Sequence, residues 1–472
     1  MEFRFDHDTV LNHASLFVAT RGTDVKELWN RGITCAKQWS TSTLVRQYTS
    51  NTGWMMATRA AWILSALTVG IYVARQLGPY NFGVLNYAIA LTGIFSIIAS
   101  MSVDEIIIRQ LVRHPERRNR ELGNFFMLRL LLFAAMATAL GITLLLLHAT
   151  TEVKWLCVIV ACGYFGYVVQ GSSLYFQSTV ESKYFAVPQL FACLISSTIR
   201  AAAAYFSWPL AIFAMAEASI HLITFWGALF LYWRRVSSPF VWNWDWREIG
   251  QLLKTALPLA ICGVFSLVYA RTDQLMVEYF LGPEAVGYYS LASRITENWA
   301  LCSYLLCLSF FPAVITAAQI SPEAYHKQLH RLYFLVFWCM AAAAAVTVLL
   351  SYPLILLLFG RAYLPTVPVL NVFVWTLLGT ALLNVFSQWA INENRITMIA
   401  WAFGSGAIIN VILNPLLIKL TGINGAAWST LISMPLGLVL TLLCTADGRR
   451  HLLLILRSIF TLPSFKLNEH AN

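Results

Sequence analysis

The sequence predicts an all-α polytopic membrane protein with 12 transmembrane helices in two six-helix bundles, related by pseudo-two-fold symmetry along the membrane normal, around a central cavity. Composition is the first reason: of 472 residues 58% are apolar and 11% charged, and mean hydropathy is +0.66, whereas soluble domains carry roughly a quarter charged residues. Spacing is the second, because apolar runs of about 20 residues, the length that crosses a bilayer core as helix, follow one another almost without interruption. The third is a repeat: LGPYNFG at 77–83 returns as LGPEAVG at 281–287, each copy just after the first helix of a six-helix set.

Residues 1–52 read as a cytoplasmic N-terminal extension with six basic and five acidic residues and no apolar core of signal-peptide type, or as an overlong start ahead of Met55 or Met56. The first bundle, 53–235, holds spans near 53–74, 83–103, 125–148, 155–175, 187–206 and 209–233. A cytoplasmic linker, 236–254, leads to the second bundle, 255–446, with spans near 255–280, 285–311, 331–353, 367–390, 396–418 and 424–446. Residues 447–472 form a cytoplasmic tail. Runs such as LLLFAAMATALGITLLLL, 130–147, do not alternate apolar with polar, which excludes the membrane β-barrel, the other structure that satisfies its backbone in lipid.

Basic residues orient the bundle, since Lys and Arg are retained on the cytoplasmic side. With both termini inside, the inner segments hold 23 of the 32 Lys and Arg, while the outer segments hold four: Arg75, Lys154, Arg361 and Lys419. Topology thus accounts for most of the net charge of +10 without nucleic acid. Eight of the nine cysteines sit in apolar spans without metal-ligand spacing, and only Cys35 lies outside one; buried Cys of this kind is a small hydrophobe. Nothing in the chain asks for a cofactor.

Each Gly-Pro pair ends a helix in a tight outward turn. Six is even, so duplicated halves enter the membrane in the same direction, an arrangement of parallel repeats with a path between halves that rock against each other.

The blocks YVARQLGPYNFGVLNYAIAL, DEIIIRQLVR, LKTALPLAICGVFSLVYARTDQLMVEYFLGPEAVGYYSLASRI, FGRAYLPTVPVL and NPLLIKLTGINGAAWSTLIS, in that order between about residues 55 and 446, resemble the Wzx-type polysaccharide flippases of the multidrug, oligosaccharidyl-lipid and polysaccharide exporter superfamily. The resemblance implies a bacterial inner-membrane flippase. Such a protein carries undecaprenyl-diphosphate-linked oligosaccharide from the cytoplasmic to the periplasmic leaflet for cell-surface polysaccharide such as O-antigen. Alternating access, a proton or Na⁺ as coupling ion, and partnership with membrane lipids and with polysaccharide polymerase and chain-length machinery are part of the same expectation. The N-terminal extension departs from the pattern, in which the first span begins almost at once.

Charged residues in the spans need a reason, because an Arg at mid-bilayer costs about 2.5–3.5 kcal/mol on insertion scales. Arg129 is one turn from the inner end of its helix, where snorkelling to the headgroups is the expectation. Arg59, six residues into the first span, is open between headgroup and cavity, and the resemblance tips it to the cavity. Arg271 and Arg294 share a depth of about ten residues below the outer face, too far to snorkel, and Arg200 is also deep. Asp273, two positions from Arg271, points about 200° away and needs another partner, with Arg294 the expected one.

An anionic lipid diphosphate bearing sugar calls for cations that hold phosphate bidentately beside hydrated space. Arg59, Arg271, Arg294 and Arg200 are therefore expected at the headgroup, joined by Arg109 of the second block through the resemblance. Asp273, Glu217, His221 and Glu297 are expected in ion coupling, with Glu217 and His221 four apart on one helix face as either a relay or a local pair. The basic loop RQLVRHPERRNR, 109–120, reads as a topology anchor, VWNWDWR at 241–247 as an aromatic belt, and Arg361 and Tyr363 as outer groups that meet departing sugar.

Two rivals follow. A multidrug or organic-cation antiporter of the same superfamily shares the architecture, but cationic drugs favour an acidic, aromatic cavity. A polysaccharide polymerase or glycosyltransferase usually places its chemistry on a sizeable loop, whereas the outer connections here run to about ten residues and carry no nucleotide loop, metal cluster or nucleophile motif.

Overall fold

The computed structural model describes residues 43–101 and 103–461; Cys35 and most of the N-terminal extension lie outside them. Helices account for nearly all of the described chain. Helix α1 (Thr43–Ser65) passes through one π turn, Ala66–Gly70, into α2 (Ile71–Ser100). Then come α3 (Asp104–Arg113), α4 (Arg118–Leu146), α5 (Thr151–Gly163), α6 (Gly171–Ser178), α7 (Lys183–Tyr205) and α8 (Leu210–Arg235). The remainder is α9 (Trp246–Leu281), α10 (Pro283–Ile320), α11 (Pro322–Leu358), α12 (Thr366–Phe373), α13 (Thr376–Asn392), α14 (Ile396–Thr421), α15 (Ile423–Leu443) and α16 (Ala446–Phe460). Among the described residues 10 helical stretches are long and apolar enough to cross a membrane, the first of them, Thr49–Arg113, containing the Gly78 break.

Helix α2 lies at the centre. It packs on α4, α5, α7 and α8 of the chain's first half, and on α9 and α10 of its second. A single apolar core runs through these contacts, including Phe82, Leu91, Leu140, Tyr289, Leu370 and Leu438. A second cluster, built on Ile107, Leu122, Phe125, Tyr232 and Leu252, packs the first half against the start of α9.

The repeated motif is where the halves lock. Gly78 (φ 68°, ψ 171°) and Gly282 (φ 83°, ψ 178°) break their helices with the same backbone conformation, one that L side chains rarely adopt. The second glycine of each copy faces the proline of the other: a Cβ on Gly83 would stand 1.7 Å from the carbonyl oxygen of Pro283, and one on Gly287 2.1 Å from that of Pro79. The chain carries the motif twice because each copy is the socket for the other. Tyr363 adds a bolt. It is fully buried, and its hydroxyl donates to the Ala74 carbonyl at 2.8 Å, so this ring holds the halves together instead of meeting sugar; Arg361 stays exposed.

The junction between the start of α4 and the start of α9 is organised by charge. Arg117 and Arg120 of the basic loop pair with Glu248, Arg120 reaches Asp245 at 2.7 Å, and Asn124 donates to Glu248 at 2.8 Å. The Arg247 backbone N–H and the Arg120 guanidinium hold Asp245 below the usual carboxylate range despite some burial. Burial pushes Glu248 upward, but Asn124, Arg120 and Arg117 together outweigh it and leave the carboxyl low.

Arg129 corrects the sequence reading. Its side chain is 1% exposed, ion-paired with Asp104, donating to the Ala99 carbonyl and lying over the rings of Phe125 and Tyr167 at 4.8 and 5.9 Å. Asp104 also accepts from Gln170 at 2.8 Å. The guanidinium does not snorkel because the connection after α2 returns a carboxylate to it at close range. The segment after 446 is likewise more than a tail: α16 packs on α11 and α15.

Candidate functional site

Helices α7 and α8 from the first half and α9 and α10 from the second bring five charged side chains together. Arg200 is held by Ser196, one turn back, at 2.8 Å and pairs with Glu217 at 3.6 Å. Arg271 pairs with Glu297 at 3.9 Å. Arg294 interacts electrostatically with all four, attracted by Glu217 and Glu297 and repelled by Arg200 and Arg271. It also donates to Asn86 of α2 at 2.6 Å and stands over the Phe82 ring at 5.2 Å.

None of these ions is sealed in. Arg294 and Glu297 are exposed and Arg200, Glu217 and Arg271 half-buried, although each lies well inside a long helix. Guanidinium groups at this depth keep accessible surface only where they border hydrated space, since their desolvation would otherwise cost several kcal/mol per ion. With three cations against two anions the cluster keeps a positive balance, suited to phosphate.

Asp273 stands apart. It is 3% exposed and accepts from the hydroxyls of Tyr289 and Thr430 and from the Asn414 amide. Asn414 also donates to the Asn410 side-chain oxygen at 2.9 Å, and the Tyr269 hydroxyl donates to the Thr430 carbonyl at 3.0 Å. The expectation that Arg294 partners Asp273 is thus overturned: the partners are neutral groups from α10, α14 and α15. The physical reason is direction, since Asp273 points into its own half while Arg271 faces the other. The side-chain oxygen of Asn414 is buried with no hydrogen-bond partner among the described residues, leaving acceptor capacity in an enclosure that already holds a carboxylate.

The remaining expected residues lie elsewhere. His221 sits between Tyr164 and Tyr167, with ring centroids 5.1 and 5.3 Å away, and Glu217 takes Arg200 as its ion-pair partner instead of forming a local pair with it. Arg59 and Arg109 are exposed, without a hydrogen bond or ion pair to another described residue. Sequence reasoning missed Asn410, Asn414, Thr430 and Tyr289. The signal was present in NVILN, two amides one helical turn apart inside an apolar span, where unsatisfied polar groups are costly.

The sequence model of the family described as "Polysaccharide biosynthesis protein" matches residues 49–315. No curated protein matches the sequence. Among solved structures, an inward-facing multidrug resistance MATE family transporter of the MOP superfamily superposes with a TM-score of 0.64 at 14% identity, over 84% of this chain and 96% of that one. The lipid II flippase MurJ, in an inward closed conformation, gives 0.61 at 14% identity over 86% and 91%. A MOP superfamily transporter from Pyrococcus furiosus, described by the reverse polarity of its binding pocket, gives 0.56 at 14% identity over 88% and 96%. At these identities the likeness is one of fold.

Proposed function

Because the chain belongs to the polysaccharide biosynthesis protein family, we propose that it is a flippase for undecaprenyl-diphosphate-linked oligosaccharide. It works by alternating access between two six-helix bundles of 12 spans in all, in a bacterial inner membrane with both termini cytoplasmic. The observation that carries this reading is the accessible cluster of Arg200, Arg271 and Arg294, drawn from both halves. Arginine forks suit a diphosphate, charge-assisted and bidentate, and accessible surface around them suits sugar hydroxyls while the polyprenyl tail stays in lipid. Arg59 and Arg109, which are exposed and have no ion-pair partner among the described residues, act on the entry path.

Coupling is assigned to Asp273. A buried carboxylate flanked by the oxygens of Asn410, Asn414 and Thr430 offers oxygen ligands to Na⁺, and the same carboxylate offers a proton site. Either ion crossing 100 mV releases about 2.3 kcal/mol, enough to bias the two access states roughly fifty-fold. Glu217 and Glu297 tune the arginines as counter-ions.

The test is translocation of defined lipid-linked oligosaccharide in proteoliposomes, with proton and Na⁺ gradients imposed separately. Movement that tracks one gradient supports the proposal. Export of a cationic dye in place of the lipid would favour the antiporter reading suggested by the multidrug fold relatives, and polymer formation by the purified protein would favour an enzyme.

A further inference from the structure

A groove of about 870 Å³ opens at the end of the second half where α11 begins, α13 ends and α16 crosses them. Its two acids are engaged: Asp447 pairs with Arg395 at 2.6 Å, and Glu393 accepts from the Tyr325 hydroxyl at 2.9 Å. Lys327, Arg450 and Arg457 also line it, and none of the three side chains has a hydrogen-bond or ion-pair partner among the described residues. The groove therefore holds uncompensated positive charge.

Helix α16 says where this charge lies. It turns His451, Ile455 and Ser458 into the protein and leaves Leu453, Leu456 and Phe460 57%, 44% and 81% exposed. Arg450 and Arg457 flank those apolar side chains. A helix with one face docked, an apolar edge outward and arginines beside it is built to lie in the membrane interface. Trp338, donating to the Ile459 carbonyl at 3.2 Å, ties it to α11 at that level. The abundant anions in that plane are lipid phosphates.

We infer that this groove binds the phosphate headgroup of an anionic membrane lipid, with Lys327, Arg450 and Arg457 on the phosphate and the acyl chains over Leu453, Leu456 and Phe460. The site is separate from the arginine cluster between the halves and does not depend on which substrate that cluster carries. Bound lipid bridges α16 to the start of α11, so it secures the inner end of the second half.

Native mass spectrometry of the full-length protein, released from a neutral detergent, tests this with short-chain phosphatidylglycerol, phosphatidylcholine of the same chains, and inorganic pyrophosphate as probes. Phosphatidylglycerol should bind the wild type. A juxtamembrane basic residue contributes roughly fivefold in affinity, so the K327Q/R450Q/R457Q variant should bind on the order of a hundredfold more weakly. R449Q, exposed but off the groove, should bind as the wild type does. R450Q alone should lose about fivefold, and it decides the matter if the triple variant does not fold. Unchanged phosphatidylglycerol binding in these groove variants overturns the inference, as does equal binding of phosphatidylcholine. Pyrophosphate binding as tightly as the lipid overturns the lipid assignment in favour of a soluble phosphate.

Discussion

Arg271 and Asp273 are two residues apart on α9 and live in opposite surroundings. Arg271 is half-buried in a cluster of ions shared by both halves, whereas Asp273 is closed off inside the second half by neutral hydroxyl and amide donors. One helix thus carries a wet, cationic face towards the other half and a dry, anionic face towards its own interior. In the proposed cycle the first serves a large anionic headgroup and the second a small cation. Since both belong to one rigid helix, a shift of α9 that accompanies ion binding at Asp273 must also move Arg271, which is the physical content of coupling in the proposed cycle.

The largest effect expected from breaking this contrast lies on the wet side. Removing Arg271 and Arg294 together should lower the rate of lipid-linked oligosaccharide translocation more than about a hundredfold, because hydrogen bonds to charged groups contribute roughly 1.5–3 kcal/mol each. Membrane insertion should be unchanged, as measured by expression level and size-exclusion profile. Wild-type translocation in the double Ala variant would end the substrate assignment.

On the dry side, Asp273→Asn removes the charge while preserving shape. Translocation in the absence of a gradient should persist, and the acceleration produced by an imposed ion gradient, up to about fifty-fold per 100 mV, should vanish. A variant that still responds to the gradient would relocate the coupling ion. The two substitutions thus give different signatures, loss of rate against loss of gradient response, and exchanging them would invert the comparison.

How far these two sites were legible in the sequence differs for a physical reason. The arginines announced themselves, because a guanidinium ten residues deep in a span is anomalous whatever surrounds it. The surroundings of Asp273 did not, because two of its three partners are neutral residues of α14 and α15 more than 100 positions away, and only folding reveals that NVILN and Thr430 converge on it. Arg129 failed in the opposite sense: its shallow position suggested snorkelling, while the return of Asp104 across a short connection made a buried pair. The apolar runs made the helices legible, and the repeated Gly-Pro made the breaks at Gly78 and Gly282 so. That each motif copy docks on the other required the backbone.

That docking offers the third test. Gly287→Ala places a methyl group against the Pro79 carbonyl, where overpacking costs about 1–3 kcal/mol, on the order of thirtyfold in the balance between closed and open outer ends. Labelling of Tyr288→Cys from outside by an impermeant maleimide should rise accordingly in the Gly287→Ala background, and Gly83→Ala should act alike. An effect of only one glycine would break the reciprocity of the repeat.

The smallest expected effect concerns the contact of α16 with the second half. His451 is buried against Tyr333, which it meets at 2.8 Å, and stacks on Trp389 at 3.9 Å. Burial, with a further contribution from nearby His326, lowers its pKa to about 3, against about 6.5 when the helix is undocked and the ring exposed. The undocked state therefore takes up a proton that the docked state refuses. Docking is at full strength above about pH 6.5 and weakens as pH falls towards 3, by about 1.4 kcal/mol per unit. Asp447, held low by Arg395, stays ionised in the upper part of that window and does not offset the effect. Between pH 7 and pH 5.5 hydrogen exchange in residues 446–460, corrected for its intrinsic pH dependence, should accelerate about tenfold, and His451→Phe should abolish the acceleration. Because this histidine belongs to neither the wet nor the dry centre, acid should loosen α16 equally in the Arg294 and Asp273 variants. A pH response that changed with either would mean that the α16 end of the second half senses the state of those centres.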